Sequence, residues 1–144
     1  MNKNKTLPSR YYFDPEIHEK EKTEILYRNW HYVGHLSQVA NPGDYLTLQL
    51  GDESLIVIRG DDGELKGFFN VCRHRAHRLL EGKGNVKSIT CPYHAWNYSR
   101  DGELCHARNA DKMPGFDKSE YCLSGYQVAT INIATKQKHF YNRG

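Results

Sequence analysis

Apolar and polar positions along this chain do not keep a single period. From Asp14 onward the pattern is helical: Asp14 suits an N-cap, Pro15 the first helical position, and Glu16 and Glu19 complement the positive end of the dipole. The helix is predicted to run to about Asn29, with Ile17, Ile25, Leu26 and Trp30 on its buried side. That stripe is incomplete, which puts the helix on a domain surface. After the turn Asn41-Pro42-Gly43-Asp44 the period shortens to two. Tyr45 to Leu50 alternates with its leucines on one face, and Leu55 to Ile58 is a continuous apolar run of the kind found in a central strand. Gly60-Asp61-Asp62-Gly63 is a hairpin signal ahead of Leu65 to Val71. Further turns at Gly82-Lys83-Gly84-Asn85 and Arg100-Asp101-Gly102 bound strands predicted at Val86 to Thr90, Trp96 to Tyr98, and from Leu104 onward. Residues 111–120 read as loop and Gly125 to Ile133 as a last strand. Short strands at this spacing predict a mainly β fold, an antiparallel sandwich or partly open barrel, with one N-terminal helix.

Composition narrows this little. At 144 residues and 16.7 kDa the chain fits one ordinary domain, and 38% hydrophobic against 26% charged residues is slightly polar but globular. No apolar run approaches the roughly 20 residues that span a bilayer. Met1 to Arg10 is polar and holds no apolar core of a secretory signal, so the expected compartment is the cytoplasm. The net charge of +3 is unevenly spread: residues 1–72 carry 8 Lys/Arg and 11 Asp/Glu, residues 73–144 carry 12 and 6. A basic half could face nucleic acid or an acidic protein, but no block of like charge is long, and a solvated mixed surface is the simpler reading. Four cysteines in a reducing compartment argue against a disulfide framework and towards metal or reactive chemistry.

Two loops interrupt the β pattern, and each holds one cysteine and one histidine. Cys72-Arg73-His74 follows the strand ending at Val71, and Cys91-Pro92-Tyr93-His94 follows the strand ending at Thr90. Sixteen residues separate His74 from Cys91, enough for a return strand and a turn, so both loops are expected at the same end of the sheet. Two soft thiolates and two imidazoles suit zinc or an iron–sulfur cluster.

The pattern C-x-H, sixteen residues, C-x-x-H resembles the Rieske motif. The flanks Asn70-Val71-Cys72-Arg73-His74-Arg75 and Cys91-Pro92-Tyr93-His94-Ala95-Trp96 resemble the α subunit of Rieske non-haem iron oxygenases of the ring-hydroxylating type. The resemblance runs from Trp30-His31-Tyr32-Val33-Gly34-His35 through Pro42-Gly43-Asp44-Tyr45 to Asp101-Gly102-Glu103-Leu104, and fades after about Val128. It implies a Rieske [2Fe–2S] cluster with Cys72 and Cys91 on one iron and His74 and His94 on the other. It divides the chain into a leader and helix (1–40), a Rieske domain (41–133) and a basic tail (134–144). The cytochrome-complex branch has an extra cysteine in each loop. Ala76, His77 and Tyr93 stand around those places, which disfavours that branch. The oxygenase pattern commonly has glycine where Ala76 and Ala95 stand, and alanine adds strain if either needs a positive φ.

The resemblance further implies an oxidoreductase component that takes single electrons from an NAD(P)H-dependent reductase or a ferredoxin. It would pass them to a mononuclear iron in the neighbouring subunit of a homotrimer. The two histidines and one carboxylate for that iron belong to a second domain, and none of this chain's other histidines supplies them, so oxygenase activity is not expected of it alone. The chain reads as the electron-transfer part of an oxygenase, with neither nucleic acid nor membrane as a partner. A free-standing Rieske ferredoxin and a zinc-stabilised binding module are the alternatives. The single-residue gap of Cys72-x-His74 is tight for zinc, and the leader from Pro15 to Val39 is foreign to a ferredoxin. His31 and His35 read as framework, Cys105 and Cys122 as small apolar residues, and Tyr93, Trp96 and Tyr98 as cluster shielding and core. Arg73, Arg75 and Arg78 either dock a reductase or simply expose their charged heads.

Overall fold

The computed structural model describes residues 6–131. A ten-residue helix, α1 (Pro15–Glu24), precedes β1 (Asp44–Leu50), β2 (Glu53–Arg59) and β3 (Leu65–Phe69). The short strands β4 (Lys83–Asn85), β5 (Ile89–Thr90), β6 (Asn97–Tyr98), β7 (Leu104–His106) and β8 (Gly125–Tyr126) follow. Strands β4-β1-β2-β3-β8 form an open antiparallel sheet, and β5-β6-β7 a second, smaller one. The architecture is the expected mainly β fold, built as two open sheets rather than a closed barrel.

The apolar run in β2 is the centre of the molecule. Leu55, Ile56, Val57 and Ile58 are each at most 2% exposed. Alternation sends them to two different cores. Ile56 and Ile58 pack with Phe68, Ile89, Tyr98 and Leu104 in the layer between the two sheets. Val57 packs with Val39 and Leu46, and Leu55 with Leu50, Leu26 and Trp30, so residues 26–39 cover the sheet's outer face. Burying each such side chain is worth about 1.5–3 kcal/mol, which makes β2 the main anchor of both layers.

Several elements differ from the sequence expectation. Asp14 does cap α1, accepting from the Glu16 N–H at 3.0 Å, but the helix stops at Glu24 rather than Asn29. Leu26–Arg28 forms a separate 3-10 turn, and Ile25, assigned to the buried side, is 59% exposed. The residue that α1 buries is Lys22, whose Nζ lies 2.6 Å from both Asp52 and Glu19 and ties the helix to the β1–β2 turn. Gly82 turns with φ +64°, but Lys83–Asn85, expected in the same turn, pairs with β1 as β4. The expected strand Val86 to Thr90 shrinks to β5. Residues 111–120 lie in irregular chain flanked by two 3-10 turns, Ala110–Lys112 and Lys118–Tyr121. The last strand is Gly125–Tyr126 within the described residues; residues 132 and 133 of its expected span and the tail 134–144 lie outside them. Among the described residues no helix is long and apolar enough to cross a membrane.

Candidate metal centre

The two Cys/His loops do not leave one end of a single sheet, as expected. The first follows β3 of the large sheet and the second joins β5 to β6 of the small one. The packing of the sheets brings them together: Cys72 and Cys91 both belong to the core between them.

Both loops make the same turn. The Cys72 N–H donates to the His77 carbonyl (2.8 Å) and the Ala76 N–H returns to the Cys72 carbonyl (2.9 Å). In the second loop Cys91 N–H to Trp96 O (2.8 Å) and Ala95 N–H to Cys91 O (3.0 Å) repeat the pattern. Each turn needs a left-handed residue four places after its cysteine. Ala76 (φ 51°) and Ala95 (φ 58°) fill these positions at some steric cost, as glycine would not. The first loop is also held at its base by Asn70, which is 2% exposed. Its Oδ1 accepts from the N–H groups of Leu79 and Leu80, and its Nδ2 donates to Leu80 O (2.7 Å) and Ser54 Oγ (3.1 Å).

The four candidate ligands separate by type. Cys72 and Cys91 are 3% and 2% exposed. His74 is exposed and His94 half-buried, with ring centroids 4.7 Å apart. Trp96 lies flat against the His74 ring at 4.7 Å, with 6° between the planes, and is braced edge-on by Phe116 and Tyr121. Between the loops, Tyr93 contacts His77 (5.6 Å) on one side and the His94 ring (3.9 Å) on the other. An open cavity of about 600 Å³ lies over this end, lined by His74, Arg75, Tyr93, His94, Trp96 and Arg108 among others.

Burial acts on one donor in each half of the pair. Burial pushes the Cys72 thiol above its ordinary range and the neighbouring Cys91 adds to this, while Tyr98 and a backbone N–H oppose it. Burial, His94 and Arg75 all hold the His74 imidazole below its ordinary value, and so neutral. A neutral imidazole at His74 and a Cys72 thiol that burial keeps from ionising without a positive centre are donors a metal group can use.

Tyr98 is the functional residue that sequence reasoning placed only in the shielding. It is fully buried, and its hydroxyl accepts from the Arg73 N–H at 3.1 Å and sits 3.3 Å from Cys72 Sγ. A metal-bound thiolate has no proton to give, so in that state the hydroxyl proton of Tyr98 is the one shared with the sulfur. Burial and the Cys72 contact push this phenol well above its ordinary range, so it keeps that proton. The other candidates stay apart from the centre. His31 Nε2 lies 2.6 Å from the Leu26 carbonyl, and His35 caps the turn Leu36–Val39, so both are framework. Cys105 and Cys122 each face a backbone carbonyl of their own segment.

Comparison with known proteins interprets this arrangement. A family described as the Rieske [2Fe-2S] domain matches residues 29–123. This chain belongs to that family. The group that defines the Rieske domain is a [2Fe–2S] cluster, and the paired donors fit it, since each iron asks only two ligands of the protein. Among the described residues no three His, Cys, Asp or Glu side chains gather where one metal ion could sit. The chain is 45% identical over 116 residues to the carnitine monooxygenase oxygenase subunit of Escherichia coli K12, a match covering 80% of this chain and 31% of the relative. The crystal structure of apo CntA, a quaternary ammonium Rieske monooxygenase, superposes with a TM-score of 0.86 at 39% identity over 95% of this chain and 39% of that one. Naphthalene 1,2-dioxygenase from Rhodococcus gives 0.82 at 29% identity, over 94% and 31%. This Rieske domain is thus of the oxygenase kind, and the chain spans about a third of the length of the curated relatives it matches.

Proposed function

We propose that this chain is the electron-transfer domain of a Rieske oxygenase α subunit, in which Cys72 and Cys91 hold one iron and His74 and His94 the other. The observation that carries the reading is the separation of the four donors into a buried cysteine pair and a more exposed histidine pair, on two copies of one turn. When bound, the cluster takes up and gives back one electron at a time. The chain's own residues set the conditions for this. Cys72 and Cys91 keep their side of the centre dry, Tyr98 holds a proton against the Cys72 sulfur, and Trp96 fixes the plane of His74. The exposed His74 ring is the edge through which another protein reaches the centre.

Residues 41–133 act as the domain proper, between the leader 1–40, of which residues 26–39 cover one sheet face, and the tail 134–144. The donor of electrons is an NAD(P)H-dependent reductase or ferredoxin in the cytoplasm. The acceptor is a mononuclear iron site in the oxygenase's second domain, reached across subunits of a homotrimer. The substrate class we favour is a quaternary ammonium compound, because identity to the quaternary ammonium monooxygenase structure (39%) exceeds that to the naphthalene dioxygenase (29%). An anaerobic reductive titration tests the electron-transfer role. Visible absorbance is expected to bleach with one electron per chain and to return on reoxidation. A colourless protein holding one zinc per chain would contradict it.

A further inference from the structure

The irregular chain after residue 112 lies outside both ligand loops, yet it reaches His74 through one side chain, Trp96. Phe116 follows Gly115, whose φ is +77°, and Tyr121 ends the turn Lys118–Tyr121. Asp117 caps that turn, accepting from the Ser119 N–H at 2.9 Å. The chain folds back between these positions and stacks the rings of Phe116 and Tyr121, 4.9 Å apart with 23° between their planes. Both rings meet Trp96 edge-on, at 5.8 and 5.5 Å, and Trp96 is 3% exposed. The segment is anchored in turn. Lys118 Nζ pairs with Asp111 at 3.1 Å and donates to the Cys105 carbonyl at 2.9 Å. Asp111 accepts from the N–H of the fully buried Ala107 at 3.0 Å. Among the described residues the ring contacts of His74 are those with His94 and Trp96.

We propose that Phe116 and Tyr121 are positioning residues for the electron-transfer centre: through Trp96 they hold the His74 ring in one plane and keep water from that side of it. This rests on the electron-transfer reading above. Half-buried aromatics at the edge of a core ordinarily add packing alone. Here their place in the contact chain gives them more to do. A parallel stack such as Trp96 on His74 is free to slide or part, and two rings locked together against the indole oppose both movements. The consequence is electrostatic. Reduction adds one negative charge to the centre, and water stabilises that charge better than an indole does. Loosening Trp96 therefore raises the midpoint potential.

The test reads two quantities on the cluster-loaded chain. One is the midpoint potential, from a dye-mediated titration in which dithionite supplies one electron per cluster. The other is acrylamide quenching of Trp96 fluorescence, in a Trp30→Phe background that removes the other tryptophan. Phe116→Leu and Tyr121→Leu are each expected to raise the equilibrium constant for reduction at least about threefold, which is about 30 mV for one electron. Both should also make Trp96 more accessible to acrylamide. Tyr121→Phe keeps the ring and should restore both values to those of the parent. Lys118→Gln removes the pair with Asp111 from a surface position and should move both readouts the same way by less, even if the leucine variants load their cluster poorly. Leu50→Ala loosens a separate core and should move neither. The proposal is overturned by leucine variants whose Trp96 is freed while the potential stays or falls, by unchanged quenching, or by an equal shift in Leu50→Ala. A parent chain that takes up no cluster sinks the electron-transfer reading instead. Quenching in the same chain then still decides the brace: a rise in Tyr121→Leu supports it, and no rise removes it.

Discussion

Tyr98 shows what a single side chain adds to the centre. Its hydroxyl is fixed by the Arg73 N–H and aimed at Cys72 Sγ, in a site without solvent. A hydrogen bond to a sulfur ligand stabilises the more negative, reduced state and raises the potential. Tyr98→Phe is therefore expected to lower the midpoint potential by tens of millivolts, where about 59 mV is a tenfold change for one electron. A redox titration of parent and variant, each with intact visible absorbance, checks this; an unchanged or higher potential would remove Tyr98 from the tuning of the centre. Cys72, His74, Cys91 and His94 were legible in the sequence because ligand chemistry demands those residue types at short, fixed gaps. Tyr98 was legible only as cluster shielding and core; its contact with Cys72 was not, because the two lie 26 positions apart. Asn70 escaped for a related reason: one polar residue at a strand end gives no sign that its amide clamps four groups across the loop. The left-handed positions of Ala76 and Ala95 could be suspected, since glycine commonly stands there in the resembled family, but only the structure gives their φ values.

The two loops are elements whose stability depends on the group they hold. They arise from different sheets, and the inter-loop contacts around Tyr93 and the His74–His94 pair are small beside the apolar core of β2. Replacing Cys72 or Cys91 with serine should abolish cluster binding and raise hydrogen exchange across residues 72–96, because metal binding and local order are coupled. Amides of β1 and β2 should keep most of their protection, since the register Tyr45–Leu50 against Glu53–Ile58 rests on buried leucines and isoleucines. An equal rise in exchange in the loops and in β1–β2 would contradict this division. The sequence showed β1, β2 and β3 clearly because their apolar pattern is local. It missed the end of α1, because Lys22 is held by Asp52, thirty residues on, and this tertiary ion pair overrides the weak helical stripe. It missed β4 because Lys83-Gly84-Asn85 has the composition of a turn. Pairing with β1 is supplied by the backbone, and a Cβ at Gly84 would come within 3.2 Å of the Tyr45 ring that covers it.

For the molecule as a whole, several carboxylates titrate below their ordinary values through specific partners. Asn85 and the Asn41 N–H hold Asp44 down, Lys22 holds Asp52, Lys66 holds Asp62, and Ser119 holds Asp117. In the unfolded chain these groups titrate near 3.9, so below that value the unfolded state binds more protons than the folded one. Their contribution is complete above that pH and is lost as pH falls through the depressed folded values. The thermal midpoint of the sheets, followed by circular dichroism, should hold between pH 6 and about 5 and fall steadily below about 4. Asp44→Asn should fall less steeply, because Asp44 joins the turn before β1 to Asn85 at the end of β4. A midpoint rising on acidification, or an identical slope in the variant, would contradict the assignment. Pulsed electron paramagnetic resonance of the reduced protein shows whether Cys72, Cys91, His74 and His94 hold a mixed-ligand cluster. One spin per chain is expected, with about two irons and two sulfides and nitrogen couplings from two histidines, one of them lost in His94→Cys. A reduced protein with no such signal, or a cluster signal with no nitrogen coupling, would contradict it.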